Sequence, residues 1–452
     1  MDTSPRHAAA LSATDASVRA RLSVLAARWR SDLLTNIVPF WLNHSLDEEH
    51  GGYFTALDRD GSVLDESKFV WLQGRAVWTW SRLHNELRSE VPADESEKWW
   101  RAARCGARFL KHGKDSATGN IWFAVSRDGS RPLHFQRKPY AAVFHVLGCL
   151  EYAECLRVRA AAGLDVDGDD PAPWLAEAVE YFERLCQWID EPHTLGRPPV
   201  AGAGPSPDGD GASSLADVMC LAGLSEELLA KLPAQRERWL AHVEKAQARV
   251  AAHFDDERGV LLEQANARSG VCFDDAPGRV LNPGHSIEVA WFLLHLCRLR
   301  PNEELQRLAL RALEGSLRLG WDEQHGGGIV YMLDVLGKPL MDCTVTAEHK
   351  LWWPLCEALY ACTLALEWSG EVSWLDWLEK IDAFIYEHLC DAEHGGEWFG
   401  YLRPDGSVFN FCKGGNYKGF FHVPRALLFS TRAAERYLAS DVRTTGPVCG
   451  DD

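Results

Sequence analysis

One signature recurs along this 452-residue chain and limits what it can fold into: an aspartate, a glycine-bearing helix stop, then a short alternating run ending in a turn. DEEHGGYFTALDRDGSV begins at Asp47, DSATGNIWFAVSRDGSRPL at Asp115, DDERGVLLEQANARSGV at Asp255, DEQHGGGIVYMLDVLGKPL at Asp322 and DAEHGGEWFGYLRPDGSV at Asp391. The intervals are 68, 140, 67 and 69 residues, and the long one holds a degenerate copy, DEPHTLGRP, at Asp190. Six units of about 70 residues therefore fill the chain. In the last copy Gly395-Gly396 stop a helix, Trp398 to Leu402 can form a strand, and Pro404-Asp405-Gly406 is a turn.

Each unit places one apolar-periodic helix before the hairpin and another after it. The first set spans roughly 19–45, 95–113, 173–189, 235–254, 302–320 and 374–390. The second spans roughly 68–89, 138–160, 214–231, 283–299, 347–367 and 422–438. The second set is the more apolar, as in WFLLHLC from Trp291, and a helix apolar on most faces is buried. Twelve helices with one buried member per pair predict an all-α closed double ring, an (α/α)6 barrel, with the β-hairpins crowding one rim. Residues 17–438 form this single domain, flanked by irregular segments 1–16 and 439–452, and 198–213 and 162–172 read as surface loops.

Composition excludes several roles. A net charge of −18 argues against nucleic acid or anionic membrane as partner. No apolar stretch reaches the ~18 residues of a membrane span, and MDTSPRHAAALSATDAS lacks the apolar core of a secretory signal. The 13 cysteines are odd in number, form no Cys-x-x-Cys pair, and include Cys149, Cys297 and Cys362 inside apolar helical runs. They read as reduced thiols of a cytoplasmic protein, without a disulfide framework or a zinc site. The 19 tryptophans suit a tryptophan-lined cleft of the kind that binds sugars, although most must pack helices.

The starts of the inner helices carry the residues suited to chemistry. In NPGHSIE, Asn282 is an N-cap and Pro283 a first-turn residue, which fixes His285 in the first turn with Glu288 on the same face. Glu288 either holds the histidine's tautomer or serves the helix dipole. Arg75 in WLQGRAVW lies among aromatics and needs a polar or anionic partner. Glu357 in HKLWWPLCEALYA is a carboxylate in an apolar helix, used in catalysis, paired with Arg75, or both. KGFFHVPR delivers His422 to a helix mouth, where it is a proton-transfer group or a cap. His50, His325 and His394 share the helix-stop position and read as structural. No metal site and no phosphate loop is apparent.

Taken together, GGYFTALDRDGSV with KFVWLQGRAVW, NPGHSIEVAWFLL, KLWWPLCEALYA, and EWFGYLRPDGSV with KGGNYKGFFHVPRALL closely resemble the N-acylglucosamine 2-epimerase (renin-binding protein) family over roughly residues 41–438. The resemblance implies an (α/α)6 barrel that interconverts N-acetylglucosamine and N-acetylmannosamine by removing and returning the C2 proton of the open-chain aldehyde. It implies His285 and His422 as the two bases, with Arg75, Glu288 and Glu357 beside them. Trp71, Gln73 (next to Gly74), Trp353, Trp398 and Lys418 of the same motifs are the candidates for holding the sugar. No metal or redox cofactor is implied; ATP as an allosteric activator is compatible, at a site no motif locates, as is a homodimer. Isomerase and cellobiose 2-epimerase branches carry a further histidine where this chain reads SLADVMCLAGL from Ser214, so the N-acylhexosamine branch fits better. Phe420 replaces a cysteine of the family's HVPR motif, and Ala141-Ala142 a polar pair; both departures bear on substrate preference. An aldose–ketose isomerase, an epimerase of another sugar, a glycosidase on the same fold and a non-catalytic binding protein are the alternatives.

Overall fold

A computed structural model describes residues 5–135, 138–195, 212–266, 268–340 and 347–440. Its helices are α1 (Pro5–Asp32), α2 (Val38–His44), α3 (Val70–Leu87), α4 (Ala93–Leu110), α5 (Tyr140–Ala161), α6 (Pro171–Asp190), α7 (Leu215–Lys231), α8 (Arg236–Ala251), α9 (Pro283–Leu299), α10 (Glu303–Gly320), α11 (Trp352–Ser369), α12 (Ser373–Phe384) and α13 (His422–Ala439). A π-turn, Leu33–Ile37, joins α1 to α2, and another, Ile385–Leu389, extends α12. The first helix reaches back to Pro5, into the stretch expected to be irregular; its alanine-rich sequence favours helix. The expected tail beyond 440 and most of the loop 198–213 lie outside the described residues.

The even split between inner and outer helices follows from burial. In α11 every residue from Pro354 to Leu366 is buried, so no face is left for solvent. In α10 the buried set is a stripe containing Leu305, Ala309, Ala312, Leu313 and Leu317. The inner helices α3, α5, α7, α9, α11 and α13 pack in succession, each against an outer helix, and α13 lies on α1. The ring closes where α13 meets α3: Thr79 Oγ1 donates to the Phe420 carbonyl at 2.7 Å and Trp78 lies edge-on to Phe421 at 5.3 Å. Helices α3 and α5 cross closely because Gly74 and Gly148 face one another; a Cβ on Gly74 would stand 2.2 Å from the Phe144 carbonyl oxygen. This is the (α/α)6 barrel expected from the repeat. Among the described residues no helix is long and apolar enough to cross a membrane.

The hairpins tie one unit to the next. Lys68–Phe69, just before α3, pairs with Ala124–Val125 of the following unit, and Lys350–Leu351, just before α11, pairs with Tyr401–Leu402. Val280–Leu281, before α9, pairs with Leu333–Asp334. The repeated aspartate explains the helix stop: Asp47 accepts from the amides of Glu49 and His50, Asp255 from Glu257 and Arg258, and Asp391 from Glu393 and His394. The glycines that follow take positive φ, 79° at Gly51 and 63° at Gly395, where a side chain would be strained. All these strands precede inner helices, so the N-terminal mouths of α3, α9 and α11 share the hairpin rim.

Candidate functional site

Four inner helices bring their first turns together at that rim. Asn282 caps α9, its side chain accepting from the His285 amide at 3.2 Å. His285 Nδ1 lies 2.7 Å from Glu263 Oε1, which stands between the strands Val260–Leu261 and Gln264–Asn266. His422 opens α13, with Nδ1 2.7 Å from Glu357 Oε1 in the second turn of α11. Both rings flank Trp353, with centroids at 5.1 Å for His285 and 5.9 Å for His422. Those two distances together bound the separation of the imidazoles at about 11 Å. In each histidine a carboxylate takes Nδ1–H and leaves Nε2 as the working nitrogen.

Their charges are driven apart. Burial alone would lower His285, but the Glu263 carboxylate outweighs it and holds the ring above its ordinary value. Burial pushes His422 well below its ordinary value, and the charges of Arg75 and Arg425 act in the same direction. The two shifts favour a proton on His285 over one on His422.

Arg75 is buried in the first turns of α3 with its guanidinium over three aromatic faces, Phe144 at 4.0 Å, Trp71 at 4.4 Å and Phe421 at 5.0 Å. Burial pushes it down to about 9, so it is still a cation at neutral pH, and its Nε has no hydrogen-bond partner among the described residues. A buried cation held by rings rather than by a carboxylate is available to an anion.

Arg425, one turn into α13, completes the floor. Its Nη2 lies 2.6 Å from Glu288 and 2.7 Å from Glu357, and Trp291 Nε1 donates to the other oxygen of Glu357 at 3.0 Å. Oxygen and nitrogen atoms of Glu288, Glu357 and His422 lie within 4.8 Å of one another, a spacing that would suit a metal ion, but the Arg425 guanidinium already bridges both carboxylates.

The sequence-derived residues divide accordingly. His285, His422, Arg75, Glu288, Glu357, Trp71 and Trp353 gather at the rim. Glu288 does not hold His285; it pairs with Arg425, because helical spacing puts it one turn deeper, facing the barrel axis. Glu357 pairs with Arg425 and His422 rather than with Arg75. Three sugar-holding candidates serve the scaffold instead. Gln73 is buried and bonds both the amide and the carbonyl of Tyr53. Trp398 is 1% exposed and donates to Asp32 at 3.0 Å, which also cuts the strand expected from Trp398 back to Tyr401–Leu402. Lys418, 1% exposed, pairs with Glu397 at 3.0 Å. Phe420 packs on Trp80 at 4.3 Å, away from the cleft. Sequence reasoning missed Glu263 and Arg425. Arg425 stood in the HVPR string itself; Glu263 lies in a hairpin whose register no local pattern fixes.

The model of the N-acylglucosamine 2-epimerase (GlcNAc 2-epimerase) family matches residues 52–185 and 233–426. The chain is 33% identical over 401 residues to the N-acylglucosamine 2-epimerase of Mus musculus, covering 87% of this chain and 88% of that protein. It is 33% identical over 427 residues to that of Bos taurus, covering 92% and 94%. The solved cellobiose 2-epimerase of Bacillus thermoamylovorans superposes with a TM-score of 0.73 at 18% identity, covering 91% of this chain and 99% of that one, a likeness of fold.

Proposed function

The chain belongs to the N-acylglucosamine 2-epimerase family and is a carbohydrate 2-epimerase, and from that premise we propose that it interconverts N-acetylglucosamine and N-acetylmannosamine through His285 and His422. The observation that carries this reading is the pair itself: two carboxylate-anchored imidazoles, both packed beside Trp353, one biased to hold a proton and one to lack it. With the aldehyde form of the sugar between them, neutral His422 takes the C2 proton from one face and His285 returns one to the other. The reverse direction uses the same pair with the proton on His422. The negative charge that develops on the C1 oxygen is met by Arg75, a cation without a carboxylate partner of its own. Every step is a proton transfer, so this mechanism calls for no metal or redox group. The sugar as partner, residence in the cytoplasm and activation by ATP belong to the same proposal, the last read by running each assay with and without the nucleotide.

Turnover of N-acetylglucosamine in D2O tests it. N-acetylmannosamine carrying deuterium at C2 is the expected product; an enzyme inert on N-acetylglucosamine that turns a free aldose with a C2 hydroxyl into a ketose would instead be an aldose–ketose isomerase, which shares the first step. His285→Asn and His422→Asn should each lose epimerisation by at least about 10² while one or both still exchange the C2 proton without inversion. Full epimerisation by either folded variant would remove that histidine from the mechanism.

A further inference from the structure

The described residues expose few large apolar side chains, and three of them lie on the strap that leads into α13: Phe409 (54%), Phe411 (51%) and Tyr417 (56%), the last against Trp71 of the site. Tyr417 is aimed by its neighbours. Its ring lies edge-on to Trp71 at 5.8 Å, and the Trp71 indole donates to the Asn416 carbonyl at 3.1 Å, which fastens the strap to the start of α3. Trp71 in turn meets Phe123 at 5.9 Å and Phe144 at 6.1 Å. Phe123 is fixed from its backbone, its carbonyl accepting from the Val70 amide at 2.9 Å, and its ring lies against Phe69 at 5.5 Å. The result is a preorganised aromatic wall, Phe144–Trp71–Phe123 with Tyr417 at its outer edge, standing directly beside the Arg75 guanidinium.

Resting on the two-histidine reading above, we propose that this wall receives the N-acyl group of the substrate, and that Phe123 and Tyr417 set how long an acyl chain the enzyme accepts. If Arg75 faces the C1 oxygen, the nitrogen on C2 is three bonds from that oxygen and must lie against whatever flanks Arg75 on the rim side. Trp71 and Phe144 flank it, with Phe421 on its third side, and Phe123 extends the wall from Trp71. An amide substituent has an apolar end that aromatic faces can cover, whereas a hydroxyl gains nothing there. The wall ends at Tyr417, more than half exposed, so a longer acyl chain finds apolar surface to cover rather than a closed end.

The experiment is a kcat/KM series over N-acetyl-, N-propanoyl- and N-butanoylglucosamine, for the wild type, Tyr417→Ser and Phe123→Ser. In the wild type each added methylene should raise kcat/KM, by up to about fourfold if fully covered. Tyr417→Ser, at an exposed position, should fold normally, flatten the gain between the propanoyl and butanoyl sugars, and act through KM with kcat held within about twofold. Phe123→Ser should flatten the whole series. A wild-type series that falls with chain length, or one whose slope both variants leave intact, overturns the inference while the epimerase reading stands. A wild type inactive on all three sugars overturns both.

Discussion

His285 and His422 each commit Nδ1 to a carboxylate at 2.7 Å, and their remaining surroundings decide which one is charged. In the proposed two-histidine mechanism the active free enzyme is the pair holding one proton, so kcat/KM should fall on both sides of a pH window. The acid limb comes from protonating His422, whose value lies well below the ordinary 6.5; the alkaline limb comes from losing the proton of His285, whose value lies above it. Stability follows the same signs. The His285 contribution is complete below about pH 6.5 and is lost as pH rises through its raised value. The His422 contribution is present above about pH 6.5 and is lost as pH falls through its depressed value. Glu263→Gln keeps a hydrogen-bond acceptor for His285 but removes the charge, so the alkaline limb should move toward acid and the acid limb should stay. Roughly a tenfold loss of kcat/KM at about pH 8 is expected for each unit of pKa surrendered. An unmoved alkaline limb would mean that the limb reports another group.

At the scale of elements, the strap that carries residues 413–418 is held by buried charge. Lys418 pairs with Glu397 at 3.0 Å and donates to the Lys413 carbonyl at 2.9 Å, while Lys413 pairs with Asp391 at 3.0 Å. Glu397 also accepts from the Trp41 indole. Lys418→Met strands the fully buried Glu397 with that single side-chain partner, and should cost about 3–5 kcal/mol of stability by chemical denaturation. If Lys418 serves the strap and not the sugar, the KM of the folded fraction should hardly change; a KM rise at least tenfold with stability intact would return it to the sugar site. Such residues show where the sequence was legible and where it was not. The repeat of Asp47, Asp115, Asp255, Asp322 and Asp391 announced the helix pairs, because a capping aspartate and its glycines act locally. His285 was legible for the same reason, its N-cap Asn282 and Pro283 being adjacent in sequence. Partners were not legible. Glu263 reaches His285 across 22 residues and Arg425 reaches Glu288 across 137, and a motif records which residues are present but not which of several carboxylates each cation meets. Trp398 and Lys418 look like sugar-holding residues in sequence because tryptophan and lysine read alike whether they face a cleft or a core.

At the scale of the whole molecule, the site exists only when the ring is closed. Arg75 belongs to the first inner helix and His422 to the last, and they meet because the first and last inner helices meet. The junction is narrow: the Thr79 hydroxyl donates to the Phe420 carbonyl, two residues before His422, across 341 residues of sequence. Thr79→Val keeps the volume and removes that donor, leaving a buried carbonyl without it, so a loss of about 1–3 kcal/mol is expected from urea denaturation. Because the same carbonyl fixes the entry to α13, kcat/KM should fall as well, by as much as about 10² if His422 moves an ångström from its working place. Thr79→Ser, which restores a hydroxyl, should recover both quantities together. Thr363 supplies the control: its hydroxyl is equally buried and bonds Leu359 within its own helix at 2.8 Å, as Thr79 also bonds Arg75 at 3.0 Å, and the bond to Phe420 is what Thr79 has in addition. Thr363→Val should leave kcat/KM unchanged. If Thr79→Val lowers stability and leaves kcat/KM at the wild-type value, closure holds the barrel together without positioning the base, and the placement of His422 must rest on Glu357 and Arg425 alone.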